Sequence, residues 1–251
     1  KGYLVIILQS NESYELEKKQ LDLLLRQRVD GILISIANTT RNFTHLSDVI
    51  SQGKPLVMFD KIAKILECSK VVIDDRKAAK VATQHLIDTG CKRIAHFRGP
   101  LLAQNSIDRF LGYKEALEEN NFTYDSSLVY ICECGDSSFE EGKFNAKKLI
   151  QDHDDIDGVF INTDLVAIGA LTVFTEMGIK VPDDISIVGF SNWFMASVIS
   201  PSLTTINQPG FKMGKAAFKQ LYKELNQRKK NSPIVYEKII LETELVKRDS
   251  T

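Results

Sequence analysis

Several apolar runs of the sequence end in polar side chains of the kinds that bind polar solutes. These residues are Ser35, Asp60, Arg98, the pair Thr163 and Asp164, and the pair Ser191 and Asn192. In open parallel sheets, ligands bind beyond the carboxyl ends of the strands. If the chain folds into two such sheets that face each other, the polar strand ends predict a cleft that binds a small hydroxylated or charged molecule.

The two carboxylates in this set have different alternative roles. Asp164 directly precedes the predicted helix Leu165–Met177, so we favour a helix cap that accepts the free N–H groups of that helix. No helix clearly begins at Lys61, so capping does not explain Asp60. For Asp60 we favour a ligand contact.

The sequence offers little support for catalysis. It has no Gly-x-Ser-x-Gly elbow, no Walker-type phosphate loop and no Gly-x-Gly-x-x-Gly after a strand. His85 falls in a predicted helix and His96 inside a predicted strand, so both are expected to be packed or surface residues instead of general bases. No His or Cys lies at zinc-like spacing. We therefore expect a protein that is not an enzyme, with no cofactor and no metal.

The composition is that of an ordinary globular α/β protein. The chain has 251 residues with 32 Lys and Arg against 33 Asp and Glu, a net charge of −1. A chain that bound DNA alone would usually show a basic patch. No apolar run approaches the length of about 20 residues that a membrane span needs. The cysteines are expected to be reduced thiols of a cytoplasmic protein; they are Cys68, Cys91, Cys132 and Cys134.

Apolar runs alternate with helical patterns along most of the chain, which predicts parallel sheets wrapped by helices. The predicted strands are Tyr3–Leu8, Ile32–Ile36, Leu56–Phe59, Val71–Ile73, Arg93–Phe97, Leu128–Cys132, Gly158–Ile161 and Ile185–Phe190. The predicted helices include Arg109–Glu119, Phe139–Ile150 and Leu165–Met177. Residues 29–34 also resemble residues 156–161, which suggests two similar lobes.

A set of longer motifs has the order and spacing of one known family. The motifs are residues 93–96, 109–113, 157–170, 181–190, 200–209 and 243–246. They resemble the effector-binding part of the lactose/galactose-repressor (LacI/GalR) family of bacterial transcription regulators. The match runs from about residue 3 to residue 249.

The resemblance implies a periplasmic-binding-protein-like fold: two Rossmann-like parallel-sheet lobes joined by three crossovers. The expected N-terminal lobe is residues 1–78 with 208–241, and the C-terminal lobe is residues 79–207 with 242–251. The family's first strand, which would lie between Leu4–Leu8 and Ile32–Ile36, has no counterpart here, nor has its first helix. The helix-turn-helix head is also missing, so we expect a shortened form of a longer protein.

The resemblance also implies a homodimer whose effector binds between the lobes and changes how the attached heads bind operator DNA. The implied effector contacts are Asp60, Asn105, Arg109, Ser137, Thr163 and Ser191. Ser191 replaces a family aspartate, Thr163 a common asparagine and Ser137 a frequent aromatic residue, for which Phe139 is expected to compensate. The expected effector is a sugar, a sugar phosphate or a sugar acid, and loss of the aspartate slightly favours an anion.

Two other functions share parts of this pattern. An extracytoplasmic sugar-binding protein of a transporter has the same fold, but the C-terminal residues 242–248 favour the repressor. A Rossmann-type enzyme would need a cofactor loop or a catalytic constellation, and the sequence has neither. We therefore expect a cytoplasmic regulator that contacts no membrane.

Overall fold

The structure is a computed structural model that describes residues 2–133 and 137–251. The chain forms two compact units, an N-terminal unit of residues 1–72 with 211–239 and a C-terminal unit of residues 73–210 with 240–251. The chain therefore passes between the units three times. The sequence placed the first boundary at residue 78, but α3 begins at Asp75 and packs against α4, so residues 73–78 belong to the C-terminal unit.

Helices and strands alternate, and the predicted α/β fold is confirmed. The helices are α1 (Tyr14–Arg26), α2 (Thr44–Ser51), α3 (Asp75–Asp88), α4 (Gln104–Glu119), α5 (Ser138–Asp152), α6 (Asp164–Glu176) and α7 (Gly210–Lys229). The strands are β1 (Ile32–Ile34), β2 (Leu56–Phe59), β3 (Ser69–Ile73), β4 (Ile94–Arg98), β5 (Val129–Ile131), β6 (Gly158–Ile161), β7 (Ser186–Ser191), β8 (Thr204–Asn207), β9 (Lys238–Leu241) and β10 (Glu244–Val246).

Each unit contains one sheet. In the N-terminal unit the strand order is β1-β2-β3-β9, with parallel pairing of β1 to β2 and of β2 to β3. In the C-terminal unit the order is β10-β8-β7-β6-β4-β5. All the pairs from β8 to β5 are parallel, and β10 runs antiparallel to β8. The parallel strands bring their carboxyl ends to one edge, where a polar site can form.

The strand predicted at Tyr3–Leu8 is wrong for this structure, because residues 2–10 form neither helix nor strand. Leu4 is 98% exposed and Ile7 is 86% exposed. A strand needs a hydrogen-bonding neighbour. In the part of the chain that the structure describes, β1 pairs with β2 and no strand lies beside this segment.

The sheet of the C-terminal unit is buried on both faces. On one face Val159, Ile161 and Ile187 pack with α5 and α6 in the main apolar core. On the other face the fully buried His96 stacks on Phe160, with ring centroids 4.8 Å apart. Alternating side chains of the same strands point to opposite faces, so each strand serves both layers.

His96 is packed, as the sequence predicted. Its Nδ1 lies 2.9 Å from the Phe160 carbonyl oxygen, and Tyr113 of α4 stacks against its ring. Burial lowers the pKa of His96 to about 3, because it removes the charged ring from water, and the positive charges of Arg98 and Arg109 lower it further. The imidazole is therefore neutral near pH 7, with Nδ1–H donating to the carbonyl group.

Helices α3 and α4 pack closely because α4 carries Gly112 at the contact. A Cβ atom at this position would lie 2.1 Å from the carbonyl oxygen of Arg76. The close approach fixes α4 against α3 and so sets the position of Arg109, three residues earlier on α4.

Candidate functional site

The carboxyl ends of the neighbouring strands β4, β6 and β7 bring several polar groups to one edge of the C-terminal sheet. Thr163 follows β6, and Ser191 ends β7. Arg109 reaches this edge from α4, because its Nη1 donates to the Asn162 carbonyl oxygen at 2.8 Å. The structure therefore brings together three of the effector contacts that the sequence predicted.

The guanidinium of Arg109 is buried and firmly positioned. Its Nε donates to Oδ1 of Asp75 at 2.8 Å, and its Cζ lies 3.6 Å from the centroid of the Phe190 ring. The side chain is 4% exposed, so the ion pair with Asp75 is buried and is not a surface pair. Asp75 balances the charge of Arg109. The guanidinium is therefore a rigid, planar group of hydrogen-bond donors, and the ion pair as a whole has little net charge.

Asp75 was not proposed as a site residue from the sequence. It begins α3, two residues after the end of β3, and its side chain is buried. The signal that could have found it is the one used for Asp60, a carboxylate at the end of a short apolar run. Its partner on α4 is 34 residues away in the sequence, which hides the pairing.

A second buried carboxylate, Asp164, connects the end of β7 and the loop that follows it with the neighbouring strand β8. Its Oδ1 accepts from the Thr205 hydroxyl at 2.6 Å, and its Oδ2 accepts from the Trp193 backbone N–H at 2.7 Å. The Ser191 hydroxyl donates to the same Oδ2 at 3.4 Å. Burial raises the pKa of Asp164, while these hydrogen bonds to the ionised form oppose the rise.

This arrangement corrects the predicted role of Asp164. The residue that caps α6 is Thr163, whose side chain accepts from the Val166 N–H at 3.4 Å. The carboxylate of Asp164 points instead to the neighbouring strands. Threonine and aspartate are both favoured N-cap residues, so the sequence alone could not tell whether Thr163 or Asp164 occupies the N-cap position of α6.

Gly189 of β7 makes the space for the Asp164 carboxylate. A Cβ atom at position 189 would lie 2.4 Å from Oδ1 of Asp164 and 2.8 Å from a methyl group of Leu203. The glycine in the family-like motif 181–190 therefore has a steric role, which is to allow the carboxylate to lie against the strand.

The loop that leaves β7 has an unusual backbone. Ser191 has φ 117° and Asn192 has φ 54°, both in the region that favours glycine. Side-chain bonds hold this conformation: Arg248 donates to Oδ1 of Asn192 at 2.7 Å, and the Asn192 N–H donates to Oγ1 of Thr205 at 3.3 Å. Strained backbone of this kind often occurs at ligand-binding positions.

Two further predicted contacts lie at helix starts. Asn105 is in the first turn of α4, which begins five residues before the predicted start at Arg109, and its Oδ1 accepts from the Ser106 N–H at 2.9 Å. Ser137 immediately precedes α5 and is exposed, with its hydroxyl donating to Glu141 at 3.1 Å. Phe139 follows in the first turn of α5. Cys134, whose thiol the sequence predicted to be reduced, lies outside the described residues.

Asp60 is in the N-terminal unit, directly after β2. Its backbone has φ 57°, its N–H donates to the Val71 carbonyl oxygen at 3.1 Å, and the residue is half-buried. No helix begins at Lys61, as the sequence indicated. A role for Asp60 in effector binding stays a prediction.

Other kinds of site are not found in the described parts of the chain. Residues 2–133 and 137–251 contain no group of three or more His, Cys, Asp or Glu side chains placed to hold a metal ion. Within the same ranges, no helix has the length and apolar character needed to cross a membrane. Cys68, Cys91 and Cys132 are buried thiols and belong to no disulfide there.

Comparison with known proteins identifies relatives over the whole chain. Residues 83–251 match the family described as periplasmic binding protein-like domain. The ribose operon repressor of Halalkalibacterium halodurans is 32% identical over 251 residues, which is 100% of this chain and 71% of that repressor.

Solved structures that resemble this chain are also transcription regulators. The transcription regulator CcpA of Lactococcus lactis superposes with a TM-score of 0.87 and 30% identity, over 98% of this chain and 87% of that one. A LacI family transcriptional regulator from Enterococcus faecium, solved with bound ribose, has a TM-score of 0.80 and 28% identity. That match covers 93% of this chain and 83% of the regulator.

Proposed function

The chain belongs to the LacI family of bacterial transcription regulators, and on that premise we propose that it binds a sugar-like effector at the carboxyl edge of its C-terminal sheet. The chain is the effector-sensing domain of such a regulator. The observation that carries the proposal is the buried Arg109 fork, which reaches the ends of β6 and β7 and is oriented by Asp75 and Phe190.

Geometry and charge both suit a hydroxylated ligand. An ion-paired guanidinium donates to hydroxyl or ether oxygens without requiring a full negative charge in the ligand. Ser191, Thr163 and Asn105 add short polar groups in the same unit. The ribose bound to the Enterococcus faecium regulator supports a sugar, and sugar phosphates and sugar acids are the anionic members of the proposed class.

We propose that the regulator acts on operator DNA and that it does so as a homodimer in the cytoplasm. The C-terminal unit exposes apolar side chains at Trp193, Phe194 and Val198, a type of surface that often mediates association. We propose no enzymatic activity, because the relatives are regulators. The relatives give no support to the transporter alternative.

A thermal-shift screen tests the proposal. D-ribose, D-glucose, ribose 5-phosphate and gluconate are added to the protein, and binding to the folded state raises the melting temperature. Arg109→Lys should remove the shift, since lysine keeps a charge beside Asp75 but loses the planar fork.

Arg76→Lys is the matched control, because Arg76 makes an exposed ion pair with Glu115 on the same pair of helices. This variant should keep the full shift. A shift that survives unchanged in Arg109→Lys would contradict the proposed contact, and the absence of a shift with every compound would contradict the proposed class of effector.

A further inference from the structure

The direction of the hydrogen bonds around Asp164 carries an inference about the effector. An ionised carboxylate accepts hydrogen bonds and donates none. Every hydroxyl that bonds to it must therefore use its own proton for that bond. Thr205 and Ser191 both do so, to Oδ1 and Oδ2 respectively.

Thr205 shows the consequence within the protein. Its hydroxyl proton is committed to Asp164 at 2.6 Å, so its oxygen is left as an acceptor. That oxygen accepts from the Asn192 backbone N–H at 3.3 Å. These hydrogen bonds therefore all point the same way: the Asn192 amide donates to the Thr205 hydroxyl, which donates to the Asp164 carboxylate.

Ser191 has the same partner but lies at the carboxyl end of β7 and is half-buried. We propose that Asp164 acts through Ser191 as a specificity-determining positioning residue: it orients the Ser191 hydroxyl so that the serine oxygen accepts a hydrogen bond from a hydroxyl group of the effector. This inference rests on the proposed function, since it concerns the same site.

The inference changes how the serine at position 191 is interpreted. The resemblance to the repressor family implied an aspartate there, and its loss favoured an anionic effector. The buried Asp164 restores an acceptor at this position through the serine. It also places a negative charge one hydrogen bond beyond the effector, which disfavours a phosphate or carboxylate oxygen at Ser191.

The contact therefore selects a hydrogen-bond donor, such as a neutral sugar hydroxyl. An anionic group of the effector, where there is one, must lie elsewhere. Gly189 and the Trp193 N–H hold the Asp164 carboxylate against the end of β7, so the orientation of Ser191 is set before the effector arrives.

The test uses D-ribose, D-glucose and D-galactose together with analogues in which fluorine replaces one hydroxyl at a time. Fluorine keeps the approximate size of a hydroxyl but cannot donate. In the unmodified protein, fluorination at one position should weaken binding by about tenfold, as expected for loss of one well-oriented hydrogen bond.

Asp164→Asn should reduce that penalty to about twofold, because an amide can donate to Ser191 and reverse the orientation of its hydroxyl. Ser191→Ala should remove the same penalty at the same sugar position, and Ser191→Thr, which retains a hydroxyl, should keep it. Binding constants are measured by calorimetry, and melting temperatures verify that each variant is folded. If Asp164→Asn does not fold, Gly189→Ala, which displaces the same carboxylate, should reduce the fluorine penalty and so tests the role of Asp164. The two Ser191 variants test whether the serine hydroxyl accepts from the effector.

Thr204→Val is the matched control. Thr204 is fully buried on the same strand as Thr205, but its hydroxyl bonds to residues 248 and 251 and not to Asp164. Its loss should lower the melting temperature and leave the fluorine penalty unchanged.

The outcomes separate the two proposals. If a sugar binds and Asp164→Asn or Ser191→Ala retains the full penalty, the inference is overturned while the proposed function stands. If neither these sugars nor ribose 5-phosphate nor gluconate binds the unmodified protein, the proposed function fails and the inference fails with it.

Discussion

Each unit of the protein contains a buried carboxylate that accepts from several donors, and the two differ in what those donors do. In the N-terminal unit, Glu17 of α1 accepts from the Ala37 N–H at 2.6 Å and from the Thr40 hydroxyl at 3.0 Å. The His45 Nε2 lies 2.8 Å from the same side chain. In the C-terminal unit, Asp164 accepts from Thr205, Trp193 and Ser191.

The difference lies in whether a group that donates to the carboxylate is also a predicted effector contact. The donors to Glu17 tie α1, the loop after β1 and α2 together, and none of them is a predicted effector contact. One donor to Asp164 is Ser191, which is such a contact. A buried acceptor that fixes a loop after a strand is thus present in both units, and we propose that it contributes to stability in the N-terminal unit and to effector selectivity in the C-terminal unit.

The largest expected effect comes from removing the first carboxylate. Glu17→Ala leaves the Ala37 N–H and the buried Thr40 and His45 groups without their acceptor, so it should lower the free energy of unfolding by about 3 kcal/mol. Urea denaturation measures this change. Glu15→Ala, on an exposed position of the same helix, should cost no more than about 0.5 kcal/mol.

The comparison of Glu17 with Asp164 also predicts how each substitution changes effector selectivity. Folded Glu17→Ala protein should keep the fluorine penalty that Asp164→Asn loses. A loss of selectivity in both variants would show that the two networks have the same role.

The next effect comes from filling the space beside the second carboxylate. Gly189→Ala places a methyl group against Asp164 and Leu203, so the strand or the carboxylate must move. We expect a loss of about 2 kcal/mol in the free energy of unfolding, as for an overpacked core position, together with a reduced fluorine penalty.

Gly214→Ala is the control for this substitution. Gly214 lies on α7, and a Cβ atom added there would have no neighbouring atom within 4 Å, so alanine should stabilise the helix by about 0.5–1 kcal/mol. Equal effects of the two substitutions would contradict the steric role of Gly189.

A smaller, pH-dependent effect distinguishes the units by their buried histidines. His45 lies beside the carboxylate of Glu17, whereas His96 lies against a carbonyl group and aromatic rings and has its pKa lowered to about 3. Between pH 6.5 and pH 3 the unfolded chain binds a proton at position 96 that the folded protein does not. Stability from this group is therefore present above pH 6.5 and is lost as the pH falls.

The expected slope is about 1.4 kcal/mol per pH unit well below pH 6.5. Chemical denaturation between pH 7 and pH 5 measures it, and His96→Phe should make the curve flatter by this amount. An unaltered slope in His96→Phe would disprove this origin of the acid sensitivity.

Regular patterns made much of the fold predictable. The strands at Leu56–Phe59 and Gly158–Ile161 have the predicted bounds, because short apolar runs bounded by turn residues are the strongest local signal for a buried parallel strand. The edge strands β9 and β10 were not predicted, since half-exposed strands have mixed composition. The Tyr3–Leu8 run has the signal for a strand, but among the described residues no strand pairs with it. Local sequence does not reveal whether a pairing strand is present.

The sequence by itself determined the class of protein: alternating apolar runs and family motifs specify a LacI-type effector domain. The polar strand ends mark Thr163 and Ser191 as candidates, and the family resemblance adds Arg109. Only the tertiary structure decided what those residues do with their hydrogen bonds. Asp75 meets Arg109 across 34 residues of chain, and Asp164 meets Thr205 across 41 residues. The direction of a hydroxyl bond depends on such distant partners, so no local pattern encodes it.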